Sequence, residues 1–166
     1  MTSLPTFDQV AALPILAKGS VTPDFIDANG HMNIRHYLEI GAVCSQVLCD
    51  DAGATQEYIV ERKMGVFTAE HHLRYLGEMR LGDEYTAHAR VIDRSDKAVH
   101  MLAFLLDRER NRLSNTFETL LIHMDMETRR PTGFPADVAG NLDRMIAHDA
   151  GTGWDAPLCG VMGVRR

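Results

Sequence analysis

The sequence predicts an α+β protein in which one long central helix lies across the concave face of an antiparallel sheet of about five strands. Three observations carry that expectation. Apolar residues at Tyr37, Ile40, Gly41, Cys44, Val47 and Leu48 follow the i, i+3, i+4, i+7 spacing of a helix with one buried stripe. Four strand-like stretches succeed one another at hairpin spacing between residues 64 and 126. One extended stretch stands ahead of the helix.

Residues 1–19 hold Pro5, Pro14 and Gly19 around a short apolar patch, Val10 to Leu13, and read as an N-terminal arm with one helical turn. The stretch S-V-T-P-D-F-I, residues 20–26, opens the main domain (20–135) as its first strand; Pro23 lacks an amide donor and marks an edge or a bulge. Asn33 suits the N-cap of a helix that starts at Ile34 and ends near Gly53. Gly41 lies in mid-helix, where glycine costs roughly 1 kcal/mol relative to alanine, so it predicts a close approach on that face.

The strands follow as M-G-V-F-T-A-E-H-H-L-R-Y (64–75), E-Y-T-A-H-A-R-V-I-D (84–93), V-H-M-L-A-F-L-L-D (99–107) and T-F-E-T-L-L-I-H-M-D-M (116–126), a four-strand meander. In the second, Tyr85, Ala87, Ala89 and Val91 alternate with Thr86, His88 and Arg90, the period of two expected when one face is buried. Residues 128–135 contain two prolines and a glycine and should leave the sheet. Residues 136–166 read as a short helix over D-V-A-G-N-L-D-R-M-I-A-H and a glycine-rich, mobile tail.

A chain of 166 residues fits one hydrophobic core, and 45% apolar with 24% charged residues is the composition of an ordinary globular protein. A net charge of -6 argues against nucleic acid as a partner. Cys44, Cys49 and Cys159 are odd in number and lack C-x-x-C spacing, which disfavours a disulfide framework and a zinc knuckle. Cys44 falls on the helical stripe and reads as a small core residue. The eight histidines follow no common zinc spacing, so no metal is expected. Without a leader-like start or a run of about 18 apolar residues, the expected setting is cytoplasmic, with no membrane partner.

The most informative segment is Asp27-Ala28-Asn29-Gly30-His31-Met32-Asn33, which packs a carboxylate, two carboxamides and an imidazole into seven positions. Asp27-x-Asn29-Gly30 makes a good turn and Asn33 a good cap, so local structure accounts for part of it. With Tyr37 downstream, the segment resembles that of the hotdog-fold acyl-CoA thioesterases of the 4-hydroxybenzoyl-CoA thioesterase type, over about residues 20–127. The stretches T-A-E-H-H-L-R-Y-L-G-E and L-L-I-H-M-D are similar to the thioesterase-like domains associated with carnitine dehydrogenase.

That resemblance implies a hotdog fold and hydrolysis of a small or medium acyl-CoA, betainyl-CoA or a similar polar one, to free acid and coenzyme A. It implies no cofactor beyond the coenzyme A carried by the substrate, and self-association as a dimer or tetramer with the site between subunits. In the family the position of Asp27 carries the catalytic carboxylate. Ile34 departs from the pattern, since several relatives have a second asparagine or an aromatic residue there.

For thioester hydrolysis Asp27 can attack the carbonyl carbon or take a proton from water, while helix N-terminal amides around Asn33, Ile34 and Arg35 point outward unpaired and can hold the oxyanion, Asn33 and Ile34 foremost. Asn29 can orient water, and His31 can orient Asp27 or donate to the carbonyl. Gly30 lets backbone approach the thioester, and Tyr37 adjoins the substrate. Glu70 and His72, two apart on a strand, share one face and would lie near the helix if that face turns inward; solvation is the alternative. Coenzyme A's nucleotide is expected near Arg74, Arg90 or Arg94. Trp154 reads as a surface or interface anchor, or as part of an aromatic wall with Tyr37, Phe67 or Tyr75.

Two other functions fit less well. A hotdog enoyl-CoA hydratase typically carries D-x-N-P-x-H, whereas here Gly30 replaces the proline and His31 comes one residue early. A non-catalytic acyl-CoA-binding protein usually carries an effector domain, for which this chain has no spare length. No G-x-S-x-G elbow is present, so a serine triad is not expected.

Overall fold

The computed structural model describes residues 3–165, so the first two residues of the expected arm and the last of the expected tail lie outside the described residues. Thr6 opens helix α1 (Phe7–Ala11) with a reciprocal cap, its hydroxyl accepting the Gln9 amide while the Gln9 side chain accepts the Thr6 amide. The chain then forms β1 (Ala17–Ser20), antiparallel to β3 (Glu84–Arg94). The first strand therefore lies upstream of the expected 20–26 stretch. Pro23 instead starts a 3-10 turn (Pro23–Phe25), where a missing N–H is harmless and the ring's fixed φ already suits the turn.

Helix α2 (Ile34–Asp51) begins at the Asn33 cap and buries Tyr37, Ile40, Gly41, Cys44 and Leu48 against β3, β4 (Ala98–Asp107) and β5 (Arg112–Asp125). The close approach that Gly41 predicts is to Phe117 of β5, whose Cγ would lie 2.5 Å from a Cβ placed on the glycine. A further helix, α3 (Gln56–Arg62), was not expected from the sequence. It starts at Thr55, whose hydroxyl accepts the Tyr58 amide, and Tyr58 is its one buried residue. A single anchor gives no periodic stripe to read.

Strand β2 spans Met64–Tyr75, and the sheet order is β1-β3-β4-β5-β2, with a two-residue β6 (Arg130–Pro131) on β5. Only β3, β4 and β5 form the expected meander, because β2 pairs with β5 rather than β3. Residues 76–83 carry the chain to the other side of the sheet over the start of α2. They are pinned there by Met79, whose amide donates to the Tyr37 hydroxyl (3.0 Å) and whose carbonyl accepts the Met32 amide (2.8 Å). This antiparallel sheet wrapped around α2 is the hotdog arrangement.

Residues 128–135 do not leave the sheet at once. The Asp125 carboxylate accepts the Glu127 and Thr128 amides, closing a turn that brings Arg130 and Pro131 back against Asp125 and Met124. Helix α4 (Ala136–Ala150) then packs Val138 and Leu142 into the α2 core, and the Asn141 side chain donates to the Ala52 carbonyl.

The alternation in β3 does not mark a solvated outer face. Thr86, His88 and Arg90 are buried there as well, because the arm and the tail cover the convex side. Val10 and Leu13 join Leu102, Phe104, Leu106 and Leu113 in a second core, with Trp154, Ala156 and Leu158 packed on it. His88 clamps the arm: its Nδ1 lies 2.9 Å from the Leu13 carbonyl and its Nε2 3.0 Å from the Thr86 hydroxyl, and burial pushes its pKa below the usual histidine range.

The tail is thus a strap rather than the loose end expected. Arg90 donates to the Trp154 and Asp149 carbonyls and stacks on the Trp154 ring, which meets Phe104 edge-on. Trp154 accordingly anchors this chain's own tail on the convex face, away from Tyr37, and takes no part in an aromatic wall. Among the described residues no helix is long and apolar enough to cross a membrane.

Gly41→Ala should destabilise the protein by about 1–3 kcal/mol through overpacking against Phe117, even though alanine favours a helix by roughly 1 kcal/mol. Urea unfolding checks this, and a variant as stable as the parent would refute the tight seat.

Candidate active site at the start of the central helix

The segment 27–33 is a closed hairpin set against the first turn of α2. Ile26 and Met32 bridge, the Asp27 amide donates to the His31 carbonyl (3.1 Å), and the Gly30 amide donates to the Asp27 carbonyl (3.0 Å). Gly30 has φ +81°, a conformation that side chains disfavour, so glycine is required by the turn itself. The Asn33 amide ties the hairpin's end to the Phe25 carbonyl at 2.8 Å.

Within this frame the polar groups divide into those the turn uses and those it leaves open. Asp27 Oδ1 accepts the Asn29 amide at 2.8 Å, while Oδ2 accepts no hydrogen bond among the described residues. The Asp27 side chain is 20% exposed. His31 Nδ1 stands 4.0 Å from Asp27 Oδ1, too far for a hydrogen bond but within electrostatic reach. Asn29 is exposed, and among the described residues its carboxamide makes no hydrogen bond.

At the helix start the Asn33 side chain accepts the Arg35 amide at 3.1 Å and the Asn33 carbonyl accepts the His36 amide. Asn33 and Arg35 are therefore already engaged, contrary to the expectation that amides around both point outward unpaired. Among the described residues the Ile34 amide is the one left without a partner in this turn. Ile34 as a residue is 62% exposed.

Tyr37 lies beneath rather than beside the open groups. It is buried, its hydroxyl accepts the Met79 amide, and its ring meets Tyr75 edge-on at 5.3 Å. Burial pushes the phenol's pKa up, so it stays protonated. Its role visible here is to hold residues 76–83 over the hairpin.

Glu70 and His72 do not face the helix. A bulge between Thr68 and Glu70 leaves Ala69 without a partner and shifts the alternation by one residue, so His71, opposite Thr119, takes the helix side. His71 packs on Phe117 at 4.6 Å between ring centroids and lines a cavity of about 180 Å³ with Ser45, Gln46, Cys49, Thr68 and Thr119. Although His71 is exposed on its outer side, partial desolvation of the ring against Phe117 lowers its pKa. The Cys44 and Cys49 thiols are pushed up to about 12 by burial, which removes them as nucleophiles.

Several residues around the site were not singled out in the sequence. His36 stacks flat on Phe25 at 3.9 Å, and its Nε2 accepts Nε–H of Arg35 at 3.0 Å. Its Nδ1 then carries the proton and donates to Glu39 at 3.2 Å. Arg35 also reaches the Asp24 carbonyl, fastening the 3-10 turn to the helix. The spacing Asn33, His36, Glu39, each three apart on a helix, was the available signal. Glu78, paired with Arg80 and close enough to His31 to feel its charge, comes from a stretch read as a simple turn.

The arginines expected to meet a nucleotide are engaged elsewhere. Arg90 is buried under the strap, Arg94 makes a two-point ion pair with Asp143, and Arg74 donates to the Pro157 carbonyl.

The model of the thioesterase-like superfamily matches residues 21–142. An L-carnitine dehydrogenase/betainyl-CoA thioesterase of Ruegeria pomeroyi is 30% identical over 139 residues, covering 83% of this chain and 28% of that protein. The chain spans between 24% and 31% of the length of the relatives bearing that double name. A betainyl-CoA thioesterase of Pseudomonas aeruginosa is 23% identical over 131 residues, 78% of this chain and 82% of that protein. Among solved structures, a hypothetical protein from Staphylococcus aureus in complex with CoA superposes with a TM-score of 0.79 at 23% identity, covering 92% of this chain and 97% of the other.

Asn33→Ala should cost about 1 kcal/mol, the usual loss for a missing helix cap, because the Arg35 amide loses its acceptor. Thermal unfolding of the two proteins side by side reads the difference; equal stability would mean that the cap contributes nothing.

Proposed function

The chain belongs to the thioesterase-like superfamily, and from that premise we propose that it hydrolyses an acyl-CoA thioester to a free acid and coenzyme A, with Asp27 and the Ile34 amide as its working pair. The observation that carries the assignment is the division of groups in the hairpin. The turn and cap occupy Asp27 Oδ1, Asn33 and the Arg35 amide, and leave Asp27 Oδ2 and the Ile34 N–H open on the same short segment.

In this reading the thioester carbonyl oxygen receives the Ile34 N–H, strengthened by the positive end of α2. Asp27 Oδ2 removes a proton from water as the water oxygen bonds to the carbonyl carbon, or adds to that carbon itself to give an anhydride that water then opens. On the first route, collapse of the tetrahedral adduct breaks the C–S bond and the coenzyme A thiolate takes up the proton that Asp27 removed; on the second, the C–S bond breaks as the anhydride forms, and the thiolate takes up a proton from the water that opens it. Asn29 and His31 flank Asp27 and supply hydrogen bonds to water or to the carbonyl. Coenzyme A arrives as part of the substrate, and the chemistry needs no separate cofactor. A cytoplasmic setting suits three cysteines that are all unpaired.

The acyl group we propose is polar and of the betainyl type. The relatives' names support it, and the Tyr75 ring, half exposed at the end of β2, offers a face on which a trimethylammonium group can rest.

The same reading includes a homo-oligomer built through β2. The arm and strap cover much of the convex face, so the feature calling for a partner is the β2 edge, where residues 68–71 are exposed in the middle of a 12-residue strand. Pairing two β2 strands would bring helix-side residues Thr68 and His71, in place of Glu70 and His72, towards the partner's helix start. Light scattering should give at least a dimer mass; a fully active monomer would overturn this.

Thiol release from a panel of acyl-CoAs that includes betainyl-CoA tests the activity, with crotonyl-CoA hydration as the control for a hydratase. Asp27→Asn keeps an oxygen for the Asn29 amide but loses the charge, so kcat should fall by at least about a hundredfold with the fold intact. A variant retaining more than about a tenth of the parent turnover would remove Asp27 from the chemistry.

A further inference from the structure

On the convex side, remote in the fold from the α2 start, three potential metal ligands from distant parts of the chain converge. His72 of β2 pairs directly across from Glu118 of β5, and Cys159 of the strap lies over both. The ligating atoms of His72, Glu118 and Cys159 all lie within 4.8 Å of one another. We propose that this cluster is a divalent-metal site of the zinc type, which clasps the C-terminal strap to the sheet beside its open edge.

Three features of the cluster support a cation. His72 Nδ1 is buried and makes no hydrogen bond, an arrangement that costs free energy in the protein alone and that a metal would relieve. Glu118 is almost wholly buried and already oriented: Oε1 lies 2.8 Å from His100 Nε2, and Oε2 accepts the Cys159 amide at 2.8 Å. Each carboxylate oxygen has two lone pairs, so both bonds persist while a further pair remains for the metal. A histidine holding a ligating carboxylate in place is the support such ligands usually have.

The donor set names the metal class. One imidazole, one carboxylate and one thiolate suit zinc, with a fourth position for water, and disfavour magnesium or calcium, which take oxygen ligands. Zinc bonds of about 2.0–2.3 Å place tetrahedral ligands roughly 3.3–3.8 Å apart. The cluster therefore needs to contract by about 1 Å at its widest, which rotation of the half-buried Cys159 and His72 side chains can supply. No spacing rule brings residues 72, 118 and 159 together, so the sequence pointed to no metal.

Metal-stripped full-length protein titrated with zinc against a chromophoric chelator should bind one ion per chain, and with cobalt it should show a thiolate-to-metal charge-transfer band. The band should vanish in Cys159→Ser, and zinc uptake should fall in both Cys159→Ser and His72→Ala. Cys44 and Cys49 are buried in the α2 core and cannot supply the band. His100→Ala should weaken zinc by about 10–100-fold, as loss of an orienting partner does. Zinc should also raise the melting temperature of the parent and not that of Cys159→Ser. A parent protein with no charge-transfer band, or zinc uptake equal in the parent and Cys159→Ser, would overturn the site.

Discussion

The depth at which α2 sits in the sheet depends on the methyl group that Gly41 lacks. Phe117 occupies the space where that methyl would stand, so helix and strand approach more closely than any other residue would allow. Tyr37 lies one turn earlier on the same helical face, and this seat delivers its hydroxyl to the Met79 amide. The link from β2 to β3 is thereby held across the helix start, and the Met79 carbonyl in turn holds Met32 at the base of the Asp27 hairpin. A packing constraint in the middle of the helix thus reaches the candidate site through two hydrogen bonds.

The same sheet carries a core on each side, which explains why β4 is buried at nearly every position and β3 and β5 over most of their length. The convex core is built from chain ends: α1 and the strap close over Leu102, Phe104 and Leu106. Asp149, at the end of α4, also accepts the Val91 amide at 2.7 Å, protecting β3 beyond the reach of the short β1. One edge of the sheet is covered in this way and β2 is not. The asymmetry follows from where the termini lie, and it leaves residues 68–71 of β2 exposed in mid-strand.

Elements that announce themselves through periodicity were legible in the sequence. The α2 stripe, the Asn33 cap, the glycine at the tight seat and the bounds of β2 could all be read from residue types alone. What escaped depended on single residues acting at long range. The unpaired Ala69 reversed the faces of Glu70, His71 and His72, and no local signal distinguishes a bulge there from a regular strand. The partner of β2 was misread because a link tied down by Tyr37 looks, in sequence, like a hairpin turn. The strap was taken for a loose end because its anchors, Arg90 beneath Trp154 and Glu118 beneath Cys159, lie far upstream in the chain.

The crowded hairpin shows why a structural and a chemical account of the same residues need not compete. Gly30 is demanded by its backbone conformation and Asn33 by the cap, which uses its side-chain oxygen. Asp27 differs, because a carboxylate has two oxygens and the turn engages only one. An Asx turn holds Oδ1 and so fixes the direction of Oδ2, which is the pre-organisation that a base or nucleophile requires. The cap acts likewise on the amides: it engages Arg35, and among the described residues the Ile34 amide is the one of this turn left without a partner. Local folding rules therefore account for the placement of the groups, and among the described residues they leave Asp27 Oδ2 without a donor and the Ile34 amide without an acceptor.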